Sequence, residues 1–389
     1  MKLSRSQSVT EKSEPSPQAV HVPSTARKGI DVAAEAPAPA TKPGLARAWV
    51  RFWFSAVDPI SLHIVRVLTG LLMLAWLLPL AGHVESLFGL ETWFDARALT
   101  EAGNLTEGAF APSWSVLYLF GPDPLALKAV YWIAVAVMAA FALGICPRLT
   151  ALLSWVLVAS LTANPVFEYE GDGLLLLLTF YLMIGYLFAG QRAAGQSLLS
   201  RLVGPTLVWP LRRRKALEGE APPSTAANLA VRLIQVHVAL IIVSSGLHKL
   251  QFGDWWAGVA LWFPLHPPFR TTLAEAQARR ADADLYLWLL NIAGYATLAW
   301  QIGFPLFAWR RAWRFVLLGG SATGWIGTAF IWHQPVVGPA LLIGCLAFVS
   351  SAGWRRLFAV ASRFRRGGQF SGERLNGVEG HRHQRGARA

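Results

Sequence analysis

The residues with the clearest chemical potential lie at the end of one apolar stretch, residues 232–258. Lys249 closes the apolar run, and three aromatic side chains follow it: Phe252, Trp255 and Trp256. A lysine acts as a general base only while it is neutral, and apolar surroundings disfavour its charged form. The stretch therefore predicts a base at Lys249 beside a pocket with aromatic walls. Two alternatives remain open, because a lysine at a helix end also reaches the outer head groups and tryptophans also anchor helices at the membrane interface.

Two further polar residues, Gln235 and His237, interrupt the same apolar run nearer its start. Inside a bilayer every polar group needs a hydrogen-bond partner or contact with water. We expect both side chains to form hydrogen bonds between helices and to have a structural role. The same reasoning applies to Arg66, one turn after His63, which we expect to pair with a neighbouring helix or to extend to the head groups.

The spacing of these polar residues predicts a helix at the centre of a bundle. At about 100° per residue, one face carries His237, Ser244 and His248, and a second face carries Gln235, Gly246 and Lys249. A helix with two polar faces is not expected to expose either of them to lipid. We therefore expect the small residues at 244–246 to contact neighbouring helices at close range.

The composition is that of a membrane protein. Hydrophobic residues make up 54% of the chain and charged residues 15%, and the mean hydropathy is +0.41, whereas a soluble domain has about 25% charged residues. The formal net charge of +13 does not indicate nucleic-acid binding, because the basic residues lie in tails and in short connections between apolar runs. Cys146 and Cys345 are too few for a disulfide framework, and we expect no metal site.

The apolar runs predict an all-α polytopic membrane protein with about eight transmembrane helices. The predicted spans are 60–80, 125–145, 149–163, 173–189, 229–248, 285–309, 315–332 and 336–351, lengths that suit a hydrocarbon core of about 30 Å. Basic connections alternate with acidic or mixed ones along the chain. Eight spans with both termini in the cytoplasm satisfy the positive-inside rule at every connection. We therefore expect a multi-pass protein of the cytoplasmic membrane.

This topology brings polar residues from several connections to the outer level of the membrane. They are His248, Lys249 and Asp254 near the fifth span, Glu168, Glu170 and Asp172 before the fourth, and His333 after the seventh. Because they share one depth, a polar site with His248, Asp172, His333 and Asp254 supporting Lys249 is one interpretation. Ordinary solvated loop residues are the other.

The domain organisation is simple. Residues 1–47 are rich in Pro, Ala and Ser and predict a disordered cytoplasmic tail, residues 48–352 form the transmembrane domain, and residues 353–389 form a basic cytoplasmic tail. The sequence contains no GxSxG, HExxH, P-loop or Rossmann glycine pattern. The common hydrolase, metalloprotease and nucleotide chemistries therefore lack their usual motifs.

Several short motifs resemble those of a known family. Gly-Leu-His-Lys-Leu at 246–250, followed by Asp-Trp-Trp-Ala-Gly at 254–258, resembles the signature of the HTTM (horizontally transferred transmembrane) domain. Vitamin K-dependent gamma-carboxylase and many bacterial proteins share this domain. Further similarity, in the same order along the chain, lies at 58–66 with 70–73, 143–150, 171–175 and 303–307. The resemblance covers about residues 48–352 and implies a membrane helical bundle of the bacterial type.

The resemblance also implies a chemistry. In the animal carboxylase the lysine matched by Lys249 is thought to deprotonate vitamin K hydroquinone, and oxygenation then yields the strong base that removes a γ-proton from glutamate. A reduced quinone, of the menaquinone or vitamin K type, is the implied cofactor, and the class would be a lyase or oxidoreductase. Two positions depart from the pattern: Gly171 and Asp172 stand where the carboxylase has an Asn-His pair, and Gly324 and Trp325 stand where a histidine is common.

These departures keep a non-catalytic alternative open. In that alternative the protein is a membrane module that binds a lipid or a peptide, or assists the export or maturation of a peptide. In either case the expected partners are the lipid bilayer and a small hydrophobic or peptide substrate.

Overall fold

The computed structural model describes residues 44–89, 101, 115–120, 123–162, 171–189, 223–266 and 284–360. These residues are mostly helical and contain no β-strand. In chain order the helices are α1 (Leu45–Phe54), α2 (Ile60–Leu77), α3 (Val84–Phe88), α4 (Pro124–Leu143), α5 (Pro147–Thr162), α6 (Asp172–Phe188), α7 (Thr225–Lys249), α8 (Gly253–Trp256), α9 (Trp262–Leu265), α10 (Asp284–Phe307), α11 (Arg314–Ile331), α12 (Val337–Leu346) and α13 (Ser351–Val360).

A helix lies at each of the eight predicted spans. Among the described residues, three stretches are long and apolar enough to cross a membrane: Ile60–Gly82, Pro124–Leu143 and Thr225–Lys249. The number becomes four if the bent pair α12 and α13 forms one span, while α5 and α6 are shorter apolar helices. An all-α membrane protein is therefore confirmed, and the count of eight spans stays a prediction.

The eighth predicted span, 336–351, differs from the structure. Helix α12 ends at Leu346, and α13 follows after a short break at an angle of 102°. Helix α13 also occupies the first residues of the segment 353–389, which the sequence predicted as a tail. The remainder of that segment, the N-terminal segment up to residue 43, and Glu168 and Glu170 lie outside the described residues.

Local sequence determines where the helices begin and end. The Asp123 side chain accepts a hydrogen bond from Leu125 N at 2.9 Å, and Pro124 occupies the first turn of α4, where its missing N–H is tolerated. Gly144 ends α4 in the left-handed region with φ 77°, a conformation that favours glycine. The next helix begins at Pro147, so α4 and α5 form a tight hairpin.

The hydrophobic core lies where α2, α4, α6, α7 and α12 meet. Close approach depends on glycines: a Cβ at Gly70 on α2 would lie 2.6 Å from Ala142 Cβ, and one at Gly185 on α6 would lie 2.8 Å from Ala230 Cβ on α7. Small residues of this kind allow membrane helices to pack closely. Helix α7 contacts α1, α2, α6, α10 and α12, which confirms its predicted central position.

Candidate functional site

Lys249 is the last residue of α7 and is half buried. Its Nζ donates a hydrogen bond to Ser245 Oγ, one turn earlier, at 2.8 Å. The same ammonium group lies 5.3 Å from the centroid of the Trp255 ring, within the range of a cation–π interaction. Lys249 is therefore directed along its own helix towards Ser245, and an aromatic ring covers it on another side.

The aromatic residues after Lys249 lie on the surface. Phe252 is 50% exposed and Trp256 is 60% exposed, and His248 packs edge-on against Phe252. Trp256 Nε1 donates to Leu250 O at 2.7 Å, and Trp256 O accepts from the Tyr295 hydroxyl at 2.6 Å. The bond from Tyr295 joins α8 to α10. Of the three aromatic residues that the sequence suggested as pocket walls, Trp255 alone covers Lys249.

A cavity of about 480 Å³ lies within the bundle, between α6, α7, α10, α11 and α12. Apolar and aromatic side chains form most of its wall, among them Leu174, Leu177, Trp300 and Trp325. The polar side chains on the wall are few and come from three helices: His237, Ser245, Gln301, Ser321 and Thr328. This is the usual composition of a site for a hydrophobic small molecule, with a few polar groups that orient it.

Ser245 connects Lys249 to this cavity. Its hydroxyl accepts the hydrogen bond from Lys249 Nζ, and its side chain lies on the cavity wall. Lys249 itself does not line the cavity. A proton passing between Lys249 and a molecule in the cavity would therefore pass through the Ser245 hydroxyl, which is both a donor and an acceptor.

His237 lies two turns deeper on the same helix and also lines the cavity. Its Nδ1 is 2.9 Å from the hydroxyl of Tyr181 on α6, so the expected hydrogen bond between helices is present. When the tyrosine hydroxyl donates to Nδ1, the imidazole carries its proton on Nε2. The sequence predicted the hydrogen bond between helices, but it did not predict that His237 lines a cavity.

The other predicted supporting residues lie at different places. Asp172 is buried, with 4% of its surface exposed, at the first turn of α6. His333 is exposed and has φ 53° in the turn before α12. A Cβ at Gly171 would lie 2.9 Å from Val336 Cγ1, so the start of α6 touches the start of α12. Asp254 is exposed on α8, and the described contacts do not link it to Lys249.

Gln235 and Arg66 occupy the structural positions that were expected for them. Gln235 is buried, its Nε2 donates to Ala347 O at 2.8 Å, and its Oε1 accepts from Arg232 at 2.8 Å. Arg66 is 1% exposed, and its guanidinium lies 5.4 Å from the centroid of the Tyr186 ring. The Tyr186 hydroxyl is 2.7 Å from His63 Nδ1. Both polar groups therefore join helices inside the core.

One sequence expectation about α7 is wrong. Ser244 and His248 are exposed, and the Ser244 hydroxyl donates to Ile241 O of its own helix. Gly246 does meet a neighbour closely, because a Cβ there would lie 2.9 Å from Gln301 Cβ on α10. The face with Gln235 and Gly246 is the buried one, since it packs against α10 and α12.

Within the described ranges, no group of three His, Cys, Asp or Glu side chains is arranged to hold a metal ion. Comparisons with protein families, curated proteins and solved structures find no match for this chain. The site is therefore interpreted from its own residues and geometry.

Proposed function

We propose that this chain is an eight-span membrane protein of HTTM type that binds a hydrophobic ring compound of the quinone class between α6, α7 and α10–α12. The observation that carries the proposal is the cavity of about 480 Å³ with an apolar wall and few polar groups. Its volume falls within the range of about 300–1,000 Å³ that is usual for small-molecule sites. The motifs at 246–250 and 254–258 support the same class of ligand through their resemblance to the carboxylase domain.

The wall of the cavity suits a quinone head group. Trp300 and Trp325 supply flat aromatic surfaces, and His237 and Ser245 supply hydrogen-bonding groups on one helix. A ring with two oxygens on opposite sides needs such groups at two depths. His237 and Ser245 are eight positions apart, which is about two helical turns or roughly 12 Å along α7.

Lys249 is the base in this proposal, and Ser245 is the group that carries the proton to it. A reduced quinone, when bound, supplies together with oxygen the oxidative chemistry by which a carboxylase-like enzyme obtains its strong base. Neutral Lys249 accepts a proton from Ser245 Oγ, and Ser245 accepts one from a hydroxyl in the cavity. A lysine is a base only in its neutral form, which burial among apolar groups favours.

Epoxide formation tests this function. The purified protein is supplied with reduced menaquinone and oxygen, and the epoxide is measured by chromatography. We expect Lys249→Ala and Ser245→Ala to lose most of the product, since general acid–base catalysis is worth about 10²–10⁴-fold. Two matched controls are expected to keep wild-type rates: Lys128→Ala, which removes an exposed lysine paired with Glu85, and Ser244→Ala, which removes the exposed neighbouring hydroxyl.

Binding without chemistry is the second candidate function. It is favoured by the observation that Lys249 does not itself line the cavity. Equilibrium binding of labelled menaquinone distinguishes the two functions. Binding that is saturable in the wild type, without epoxide in any variant, would assign the protein to the non-catalytic class. Absence of both binding and epoxide would contradict the proposed ligand class.

A further inference from the structure

A second cavity, of about 290 Å³, lies between the start of α11 and the start of α13. Three arginines line it: Arg311, Arg314 and Arg356. The described residues on its wall include no carboxylate. Three like charges around one space repel each other unless an anion occupies it, so the composition of this cavity indicates an anionic ligand.

Arg314 supplies a second observation. Its side chain lines the cavity, and the described residues give it no carboxylate partner. The contrast with Arg355 is informative, because Arg355 Nε donates to Asp58 Oδ2 at 3.0 Å. One arginine of this region thus has an internal carboxylate, and the three that face the cavity are left for an external anion.

The same wall also carries apolar side chains. Phe315, Leu318, Val349 and Ala352 line the cavity beside the arginines, and Phe315 is 86% exposed. An arginine cluster next to exposed apolar residues matches a molecule with a phosphate and an acyl chain. Free phosphate would contact the arginines but not the apolar side chains beside them. Basic pockets between membrane helices on the cytoplasmic side are a known way to bind anionic head groups.

The bend between α12 and α13 explains how the arginines reach head-group level. At 102° to α12, helix α13 runs nearly parallel to the surface of a membrane that α12 enters. Arg356 lies on the exposed side of α13, whereas Trp354 is buried beneath it. Interfacial helices place basic side chains at this level.

We propose that the cavity between α11 and α13 binds the phosphate group of an anionic phospholipid through Arg311, Arg314 and Arg356. The fork of N–H donors on each guanidinium matches phosphate oxygens. Guanidinium N–H groups on the cavity wall donate to the phosphate oxygens, and the acyl chain lies along Phe315 and Leu318. This site is separate from the quinone cavity and does not depend on its function.

Native mass spectrometry of the full chain in a nonionic detergent tests the proposal. Dioleoyl phosphatidylglycerol and dioleoyl phosphatidylcholine are added in separate titrations, and inorganic phosphate is added as a competitor. We expect one phosphatidylglycerol to bind with clear preference over phosphatidylcholine. Arg314→Gln and Arg356→Gln should each weaken this binding about fivefold, from about 1 kcal/mol per basic side chain near anionic lipid.

Arg310→Gln is the matched control, because Arg310 lies in the same connection and its guanidinium rests over Phe307 outside the cavity. It should bind phosphatidylglycerol as the wild type does. Arg356 is exposed on α13, so its variant tests the site even if Arg314→Gln disturbs the packing of α11. Equal binding of both lipids, unchanged binding in both variants, or displacement by phosphate at comparable concentration would each overturn the lipid assignment.

Discussion

The guanidinium of Arg66 lies in the core beside the aromatic ring of Tyr186. The Tyr186 hydroxyl binds His63, one turn before Arg66 on α2. The three side chains join α2 to α6 at a depth where lipid offers no hydrogen bonds. The ring and the hydroxyl of Tyr186 therefore link Arg66 and His63 on α2 to α6.

Tyr186→Phe tests this link. The phenyl ring keeps the cation–π contact with Arg66, but His63 Nδ1 loses its partner inside the protein. An unsatisfied buried polar group costs about 1–3 kcal/mol, so we expect a lower midpoint of thermal unfolding in detergent. Tyr286→Phe is the control, because the Tyr286 hydroxyl is partly exposed and has no hydrogen-bond partner in the described part of the chain. Equal midpoints for both variants would contradict a structural role of the hydroxyl.

At the scale of the helices, close packing depends on a few positions without a Cβ. A methyl group at Gly70 would lie 2.6 Å from Ala142 Cβ and 2.8 Å from Ala142 Cα. Because one of these atoms belongs to the backbone, a rotamer change does not relieve the contact. Helices α2 and α4 would have to separate, and both belong to the main core.

Gly70→Ala is therefore expected to destabilise the protein by about 1–3 kcal/mol, the usual range for overpacking. Gly294→Ala on α10 is the matched control, since a Cβ there meets nothing within 4 Å. Alanine at an open helical position is favoured by up to about 1 kcal/mol, so this variant should be unchanged or slightly more stable. Thermal unfolding in the same detergent compares the two. If Gly294→Ala were destabilised and Gly70→Ala were not, the result would contradict the close packing assigned to Gly70.

The positions of the helices were largely predictable, whereas the contacts between them were not. Long apolar runs located the helices to within a few residues. In a membrane helix, however, the lipid-facing and buried sides are both apolar, so hydropathy does not identify the buried face. The spacing of polar residues was the remaining signal for the buried face. It correctly placed Gln235 against a neighbouring helix, but it wrongly did the same for Ser244, whose hydroxyl donates to a carbonyl of its own helix.

The cavity between α6, α7 and α10–α12 was not predictable for a related reason. Its wall joins residues from Gly173 to Cys345, contributed by five helices, and no local pattern encodes which of them meet. The sequence identified Lys249 and His237 as polar residues in an apolar run, but it gave no sign that Ser245 connects Lys249 to a cavity. The sequence also did not identify Trp300, Gln301 or Tyr181 as residues of the site, because aromatic and amide residues are common in membrane helices.

At the scale of the whole molecule, charge distribution predicts one orientation in the membrane. Exposed Arg310 and Arg311 follow α10, and the arginine cavity lies at the same end of the bundle. Lys249 and Asp254 lie at the opposite end of α7 from Arg232, which accords with the charge alternation along the chain. Positive-inside orientation then directs the arginine cavity to the cytoplasm and the Lys249 end outward.

Cysteine labelling of intact cells tests this orientation. Cys146 is half buried and is first replaced by serine, while Cys345 is buried and is retained. In that background we expect Asp254→Cys to react with a membrane-impermeant maleimide, because residue 254 is exposed and the predicted orientation directs it outward. Arg310→Cys, equally exposed, should react only after the cells are permeabilised. Both positions are accessible in the folded chain, so a reversed labelling pattern would invert the predicted topology. Labelling of both positions in intact cells would place them on the same side of the membrane and contradict the predicted span between them.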